Sequence, residues 1–191
     1  MFSTLFTTLM LGSLSAHASH RTVKVDSFSV AGSGCQPGTV STAADAATGN
    51  YTVVPENFAA ALTKGGSLDR KSCTFALAFQ GTPHRAVRLT FPRIQGDVSL
   101  DENAAAEINY EVFFAGQSGD KGTLSFNGTQ GILEQSFDEI NTEQEVIFAC
   151  GQSGIARGNA SILVNSNPAG SQVAVAHVEE IGVKIDSIPC L

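Results

Sequence analysis

The sequence predicts an all-β protein, a single antiparallel β-sandwich with one short helix and two disulfides. Three observations support this fold class. Short segments with alternating apolar and polar residues recur along most of the chain, Gly and Asn punctuate nearly every gap between them, and the chain contains four cysteines. Many short alternating segments separated by turn residues are typical of sandwiches.

The first 18 residues have the features of a signal peptide. An uncharged, largely apolar run over residues 1–14 is followed by Ala16 and Ala18, small residues at the −3 and −1 positions of a cleavage site. The run is shorter than the roughly 20 apolar residues that span a bilayer. We therefore predict cleavage after Ala18, one domain over residues 19–191, secretion to the cell exterior and no membrane span.

The candidate strands begin after this leader. Residues 22–30 are rich in β-branched side chains and run into a Gly-rich turn. Each later segment places its apolar residues on one face, which is the pattern of a half-buried antiparallel strand. These faces are Phe75, Leu77 and Phe79; Val87, Leu89 and Phe91; Ile108, Tyr110, Val112 and Phe114; Leu124 and Phe126; Val146 and Phe148; Ile162 and Val164; and Ile181, Val183 and Ile185.

One segment favours a helix. Pro55 stands where a helix can begin, an Ala-rich stretch follows, and Gly65 and Gly66 stand where it would end. We expect a helix of about two turns over residues 55–64.

The four cysteines, Cys35, Cys73, Cys150 and Cys190, lie downstream of the leader. An even number in an exported protein indicates two disulfides, for which three connectivities are possible. We predict Cys35–Cys73 and Cys150–Cys190, because sequential pairing closes two loops of similar length. No two of these cysteines have CxxC spacing and no His lies close to them in sequence, so the sequence does not favour a metal site at these thiols.

Three Asn-X-Ser/Thr sequons begin at Asn50, Asn127 and Asn159. In a eukaryotic secretory pathway such sequons accept glycans at exposed positions. We predict a glycoprotein in such a host.

The order and spacing of the cysteine motifs resemble a known family. The motifs are the segment from Gly32 to Gly38 around Cys35, Arg70-Lys71-Ser72-Cys73, Cys150-Gly151, and a cysteine one residue from the end. They resemble the secreted "domain of unknown function 4360" family of fungi, plants and actinobacteria. Ser72, Gln36 and the Ser187–Pro189 run depart from the usual pattern without affecting the cysteines. The resemblance implies a secreted, disulfide-bonded β domain and no assigned reaction.

Charge limits the range of partners. Eleven Lys and Arg stand against 18 Asp and Glu, a formal net charge of −7, which disfavours nucleic acid and anionic membranes. The main basic concentration comprises Arg70, Lys71, Arg85 and Arg88, with Arg93 nearby. If these side chains share one face, they can bind an anionic glycan or an acidic extracellular protein.

Carboxylates offer a second type of site. Glycoside hydrolysis needs two of them facing one cleft, and the candidates are Asp97, Asp101, Glu102, Glu107 and Glu111. A sugar-processing cleft also usually presents aromatic platforms, whereas the chain has no Trp and only two Tyr. Solvated strand faces are therefore the favoured interpretation.

Two other groups of residues could bind a metal, but the sequence predicts a site at neither. Asp97, Asp101, Glu102 and Asn103 form an oxygen-rich stretch without the spacing of an EF-hand loop. Cleavage after Ser19 would expose His20 as a copper ligand with His84 or His177, but it would place bulky His17 at −3. We therefore expect no resident metal or cofactor.

The predicted function is that of a secreted, non-enzymatic binding or effector-like protein at a cell surface or wall, with a glycan or an extracellular protein as partner. The alternative is a secreted carbohydrate-active hydrolase that uses paired carboxylates.

Overall fold

A computed structural model of the chain describes residues 23–63, 66–128, 131–140, 144–166 and 173–190. The predicted signal peptide lies outside these residues. Within them the chain forms twelve strands, which in sequence order are β1 (Lys24–Ala31), β2 (Val40–Asp45), β3 (Asn50–Pro55), β4 (Ala59–Leu62), β5 (Leu68–Gln80), β6 (Arg85–Leu100), β7 (Ala104–Phe114), β8 (Asp120–Asn127), β9 (Leu133–Glu139), β10 (Glu145–Phe148), β11 (Gly154–Ser166) and β12 (Ala174–Pro189).

The strands form two antiparallel sheets. Sheet A has the order β1-β5-β11-β7-β8, and sheet B has the order β10-β6-β12-β3-β2, with β4 also paired to β12 and β9 also paired to β6. Consecutive strands β5 and β6 belong to different sheets, as do β6 and β7 and also β11 and β12. The predicted β-sandwich is confirmed.

The core lies between the inner faces of the sheets. Phe75 of sheet A contacts Phe91 of sheet B with ring centroids 6.4 Å apart, and Phe91 contacts Tyr110 at 5.0 Å. Phe75 and Phe91 are fully buried, and Tyr110 is nearly so. Burying a large apolar side chain contributes about 1.5–3 kcal/mol. The alternation that predicted these strands therefore identified the faces that hold the sandwich together.

The short helix predicted over residues 55–64 is wrong for the residues that the structure describes. Pro55 ends β3, and Ala59–Leu62 form β4, which pairs with Ala174–His177 of β12. Phe58, Ala60 and Leu62 are all buried, a two-residue period that suits a strand and not a helix. Helix propensity is a weak preference that burial of this face overrides. No helix in the described ranges is long and apolar enough to cross a membrane.

The structure contains two disulfides, and both predicted pairings are confirmed. Cys35 and Cys73 join the turn after β1 to the middle of β5, with Cα atoms 5.2 Å apart. Cys150 and Cys190 join the segment after β10 to the end of β12, with Cα atoms 5.9 Å apart. Persistent disulfides are compatible with an extracellular protein, because they form in oxidising compartments.

Candidate functional site

The four basic residues predicted as a binding surface lie on two sheets. Arg70 and Lys71 belong to β5 of sheet A, whereas Arg85 and Arg88 belong to β6 of sheet B. Alternation along β5 turns Cys73 into the core and leaves exposed Arg70 on the outer face of sheet A. The structure therefore does not bring these four residues to one face.

Arg85 and Arg88 are engaged within sheet B. Arg88 donates from Nε and Nη2 to the two carboxylate oxygens of Asp186, at 3.0 and 2.8 Å, and this hydrogen bonding raises its pKa. Arg85 donates from Nε to the hydroxyl of Ser187 at 3.1 Å and from Nη2 to the Ser187 carbonyl. Both guanidinium groups are thus held by the neighbouring strand β12.

Lys71 lies apart from Arg70, because adjacent residues of a strand point to opposite faces. It lines a separate depression of about 290 Å³ beside Gln36, Thr39 and Asn57. This depression lies next to the turn that the Cys35–Cys73 disulfide ties to β5.

Arg70 borders a groove on the outer face of sheet A, hereafter the sheet A groove. Antiparallel register places outer-face residues of four strands side by side. Asn159 of β11 is opposite Glu111 of β7, which is opposite Lys121 of β8. In the next row, Ser161 is opposite Asn109, which is opposite Thr123. Asn159 and the short polar side chains of the second row form the floor of a depression of about 240 Å³, which Arg70, Glu111 and Lys121 border.

Hydrogen bonds hold the floor of the groove in place. Thr74 donates from Oγ1 to Oδ1 of Asn159 at 3.3 Å, and Thr123 donates from Oγ1 to Oδ1 of Asn109 at 2.7 Å. Asn109 in turn donates from Nδ2 to Glu107 at 2.6 Å. Fixed polar groups of this kind favour recognition, because less side-chain entropy is lost when a ligand binds.

The two cations that border the groove differ in their partners. Lys121 lies 3.6 Å from a carboxylate oxygen of Glu111. The guanidinium of Arg70 makes no ion pair or hydrogen bond with any residue that the structure describes. Arg70 is therefore available to a ligand that carries a negative charge.

Among the described residues that line the groove, none is an exposed aromatic side chain. Tyr110 is the aromatic residue in its lining, and this side chain is only 3% exposed. Binding in the groove would consequently rely on hydrogen bonds and charge and not on stacking of a sugar ring.

The candidate catalytic carboxylates do not all lie on one face of the sandwich. Asp97 lies on β6 of sheet B, while Glu107 and Glu111 lie at outer-face positions of β7 in sheet A. Packed sheets are about 10 Å apart before the outward side chains are counted. Asp97 therefore shares no cleft with Glu107 or Glu111.

The residues of the oxygen-rich stretch are also divided. Asp97 lies within β6, and Asp101–Asn103 form the turn between β6 and β7. One carboxylate oxygen of Asp101 accepts the backbone N–H of Val173 at 2.9 Å. That carboxylate ties two segments of backbone together, which explains its position without a calcium ion.

The three sequons occupy different environments. Asn50 and Asn127 are exposed at the ends of strands, while Asn159 is half-buried in the middle of β11 and lines the sheet A groove. A glycan on Asn159 would occupy the groove.

One cluster of potential metal ligands was not predicted from the sequence. Asp97, His177 and Glu179 place one potential ligand atom each within 4.8 Å of one another on sheet B. The alternation His177-Val178-Glu179 was the available signal, because it places two of the three side chains on one face. Their pairing with Asp97, 80 residues away in sequence, depends on the register of β6 and β12.

Comparisons with known proteins identify the family of the chain. No curated protein sequence matches the chain significantly. TmCBM61, solved in complex with β-1,4-galactotriose, is similar with a TM-score of 0.28 and 10% identity, over 86% of this chain and 90% of that one. The enzymatically active domain of tailspike protein 4 from bacteriophage CBA120 is similar with a TM-score of 0.25 and 12% identity, over 80% of this chain and 19% of that one.

Neither structural likeness carries an argument about function, because both TM-scores are low. The family comparison does identify the family, because a family model matches residues 21–188, nearly the whole chain after the predicted leader. The chain belongs to the family described as "Domain of unknown function (DUF4360)".

Proposed function

We propose that this protein is a secreted, non-enzymatic binding protein that acts at a cell surface or wall and holds acidic sugar units of an extracellular polymer in the sheet A groove. The observation that carries the proposal is the guanidinium of Arg70, which has no partner among the described residues. It borders a floor of short polar side chains, and the ion-paired Lys121 and Glu111 also line the groove. A glycan supplies hydroxyl groups for such a floor, and its carboxylate is a suitable partner for Arg70.

The chemistry of the groove favours an acidic ligand over a neutral one. Arginine forms charge-assisted hydrogen bonds with carboxylates, and its planar group can bind both oxygens at once. Neutral polysaccharides are commonly held by aromatic stacking, and the described lining of the groove offers no exposed ring for it. The proposal therefore names polymers of uronic acids as the first ligands to test.

A binding role also agrees with the arrangement of the carboxylates. The hydrolase alternative requires two of the candidate carboxylates in one cleft. The structure places Asp97 on sheet B, whereas Glu107 and Glu111 lie on β7 of sheet A, about 13 Å apart along the strand. No specific observation favours hydrolysis, so binding remains the proposed activity.

The decisive experiment measures retention of the purified secreted protein on insoluble polymers. Uronic acid polymers are compared with neutral polysaccharides at low and moderate salt, and release of reducing ends is followed in the same tubes. We expect retention on the acidic polymers, weakening as salt rises because exposed charges are screened. Release of reducing ends would overturn the non-enzymatic assignment.

The matched variants are Arg70→Glu and Lys24→Glu, which make the same change in net charge. Lys24 pairs with Gln80 at the far end of β5, about 33 Å from Arg70 along the strand. We expect Arg70→Glu to weaken retention at least tenfold and Lys24→Glu to have little effect. Equal losses in both variants would mean that only overall charge matters and would reject the sheet A groove as the site.

Secretion is tested separately by mass spectrometry of the protein recovered from culture medium. We expect a mature chain that begins at Ser19. An intact N-terminus in the retained cell fraction, with none in the medium, would contradict secretion.

A further inference from the structure

We infer that the outer face of sheet B carries a divalent transition-metal site formed by Asp97, His177 and Glu179, with Zn²⁺ as the cation that fits it best. The site is independent of the sheet A groove, because the two lie on opposite outer faces of the sandwich. Its three residues supply one imidazole nitrogen and two carboxylate oxygens.

The register of two long strands creates the cluster. His177 of β12 is the direct antiparallel partner of Asp97 on β6, and Nδ1 of His177 lies 3.3 Å from Oδ1 of Asp97. Gly96 allows the close approach, since a Cβ atom at this position would lie 2.0 Å from the carbonyl oxygen of His177. The backbone itself therefore fixes this pair of ligands.

The third ligand, Glu179, lies at a β-bulge in β12. Val178 pairs with Gly96 and Glu180 pairs with Gln95, so Glu179 is the extra residue between two register positions. Bulges redirect side chains, and here Glu179 lies beside His177. The amide of Gln95 donates to a carboxylate oxygen of Glu179 at 3.1 Å, the kind of outer contact that orients metal ligands.

The distances suit a small cation. Ligand bonds of about 2.1 Å in a tetrahedral arrangement put ligand atoms about 3.4 Å apart. Nδ1 of His177 and Oδ1 of Asp97 are 3.3 Å apart, close to this value. All three ligand atoms lie within 4.8 Å of one another. Glu179 is exposed, so rotation of its side chain can close the remaining gap.

The surrounding charge favours a cation. In the described part of the chain, no Lys or Arg forms an ion pair with Asp97 or Glu179. The nearby Arg93 already forms two other ion pairs. Its Nε lies 2.7 Å from Oδ1 of Asp138, and its Nη1 lies 3.4 Å from Oε1 of Glu180. Among the described residues, His177 is thus the only basic side chain paired with either carboxylate of the cluster.

The donor set distinguishes among cations. Imidazole is a good ligand for Zn²⁺ and other transition metals, whereas Ca²⁺ and Mg²⁺ prefer oxygen alone. Three protein ligands leave positions for water, so the cation would be partly exposed in a shallow cleft of about 480 Å³. We expect Zn²⁺ to bind more tightly than Mn²⁺, and Ca²⁺ to bind weakest.

The test is a calorimetric titration of the full mature protein with Zn²⁺, Mn²⁺ and Ca²⁺, in parallel with thermal unfolding at each metal concentration. Wild-type protein should bind one equivalent of Zn²⁺ and show a raised Tm, because a ligand that binds only the folded state stabilises it. His177→Ala and Asp97→Asn should each lower the Zn²⁺ affinity at least tenfold and abolish the rise in Tm.

Control variants remove the other histidines that can capture metal. His84 is exposed in the turn before β6 with a φ of 61°, a conformation that Asn tolerates, so His84→Asn is the matched change. His20→Ala removes the histidine near the predicted mature N-terminus. Both variants should bind Zn²⁺ as wild type does. Retention of binding in His177→Ala, or its loss in His20→Ala or His84→Asn, would overturn the assignment.

Discussion

Removal of the Cys35–Cys73 disulfide should lower the free energy of unfolding by about 4 kcal/mol. The bond closes a loop with a sequence separation of 38, and the chain-entropy relation for a loop of this length yields about 4 kcal/mol at 25 °C. For a protein of this size, that loss corresponds to a fall in Tm of about 8–16 °C.

The assay is urea unfolding of wild type, Cys35→Ala, Cys73→Ala and the double variant under non-reducing conditions. Either single change breaks the same bond, so the three variants should lose similar free energies of unfolding. Cys35 and Cys73 are both fully buried, so the small cavities left by Ala add to the loss.

The matched control is the pair Cys150→Ala and Cys190→Ala. Their loop has a sequence separation of 40, so the loss from chain entropy should be nearly equal, but Cys150 is exposed and leaves no buried cavity. Losses below about 1 kcal/mol for the first pair, or losses in Cys35→Ala and Cys73→Ala that simply add in the double variant, would refute the reasoning.

Three further predictions concern packing, pH and glycosylation. Gly158→Ala should destabilise the fold by about 1–3 kcal/mol in urea unfolding, because the added Cβ would lie 1.8 Å from Cζ of Phe75; unchanged stability would contradict this contact. The hydrogen bond from Arg93 lowers the pKa of Asp138 below its ordinary 3.8, so this pair stabilises the fold above that pH and its contribution is lost as the pH falls through the lowered pKa. Between pH 6 and pH 2, the Tm of Asp138→Asn should fall less than the Tm of wild type. Identical dependence of Tm on pH in the two proteins would argue against a stabilising Arg93–Asp138 pair. In protein from a eukaryotic host, mass spectrometry should find molecules glycosylated at Asn159 only in the fraction that the acidic polymer does not retain, and their presence in the retained fraction would contradict a ligand site in the groove.

The pattern of apolar residues was sufficient to predict the strands whose inner faces form the core. Phe75 and Leu77 on β5, and Ile108 and Val112 on β7, are all fully buried as the two-residue period requires. This inference works because a half-buried strand imposes its period directly on the sequence. The helix prediction after Pro55 was wrong, because Ala-rich sequence favours a helix but pairing with a neighbouring strand and burial of one face override this preference.

The binding surface was harder to predict from the sequence. Proximity along the chain suggested that Arg70 and Arg88 act together, but the chain crosses from sheet A to sheet B between β5 and β6. Arg88 instead meets Asp186, which is 98 residues away in sequence. Short-range sequence patterns carry no information about such a pairing.

The sequence by itself determined which residues are apolar, how they alternate and where the cysteines stand, and these were enough for an all-β fold and the correct disulfide pairing. The tertiary structure alone decided which charged groups face each other. It left Arg70 without a partner among the described residues at the edge of a polar groove, and it placed Asp97 beside His177 and Glu179. The physical reason is that period-two alternation sets the face on which each residue lies, while the order and register of strands distant in sequence set its neighbours.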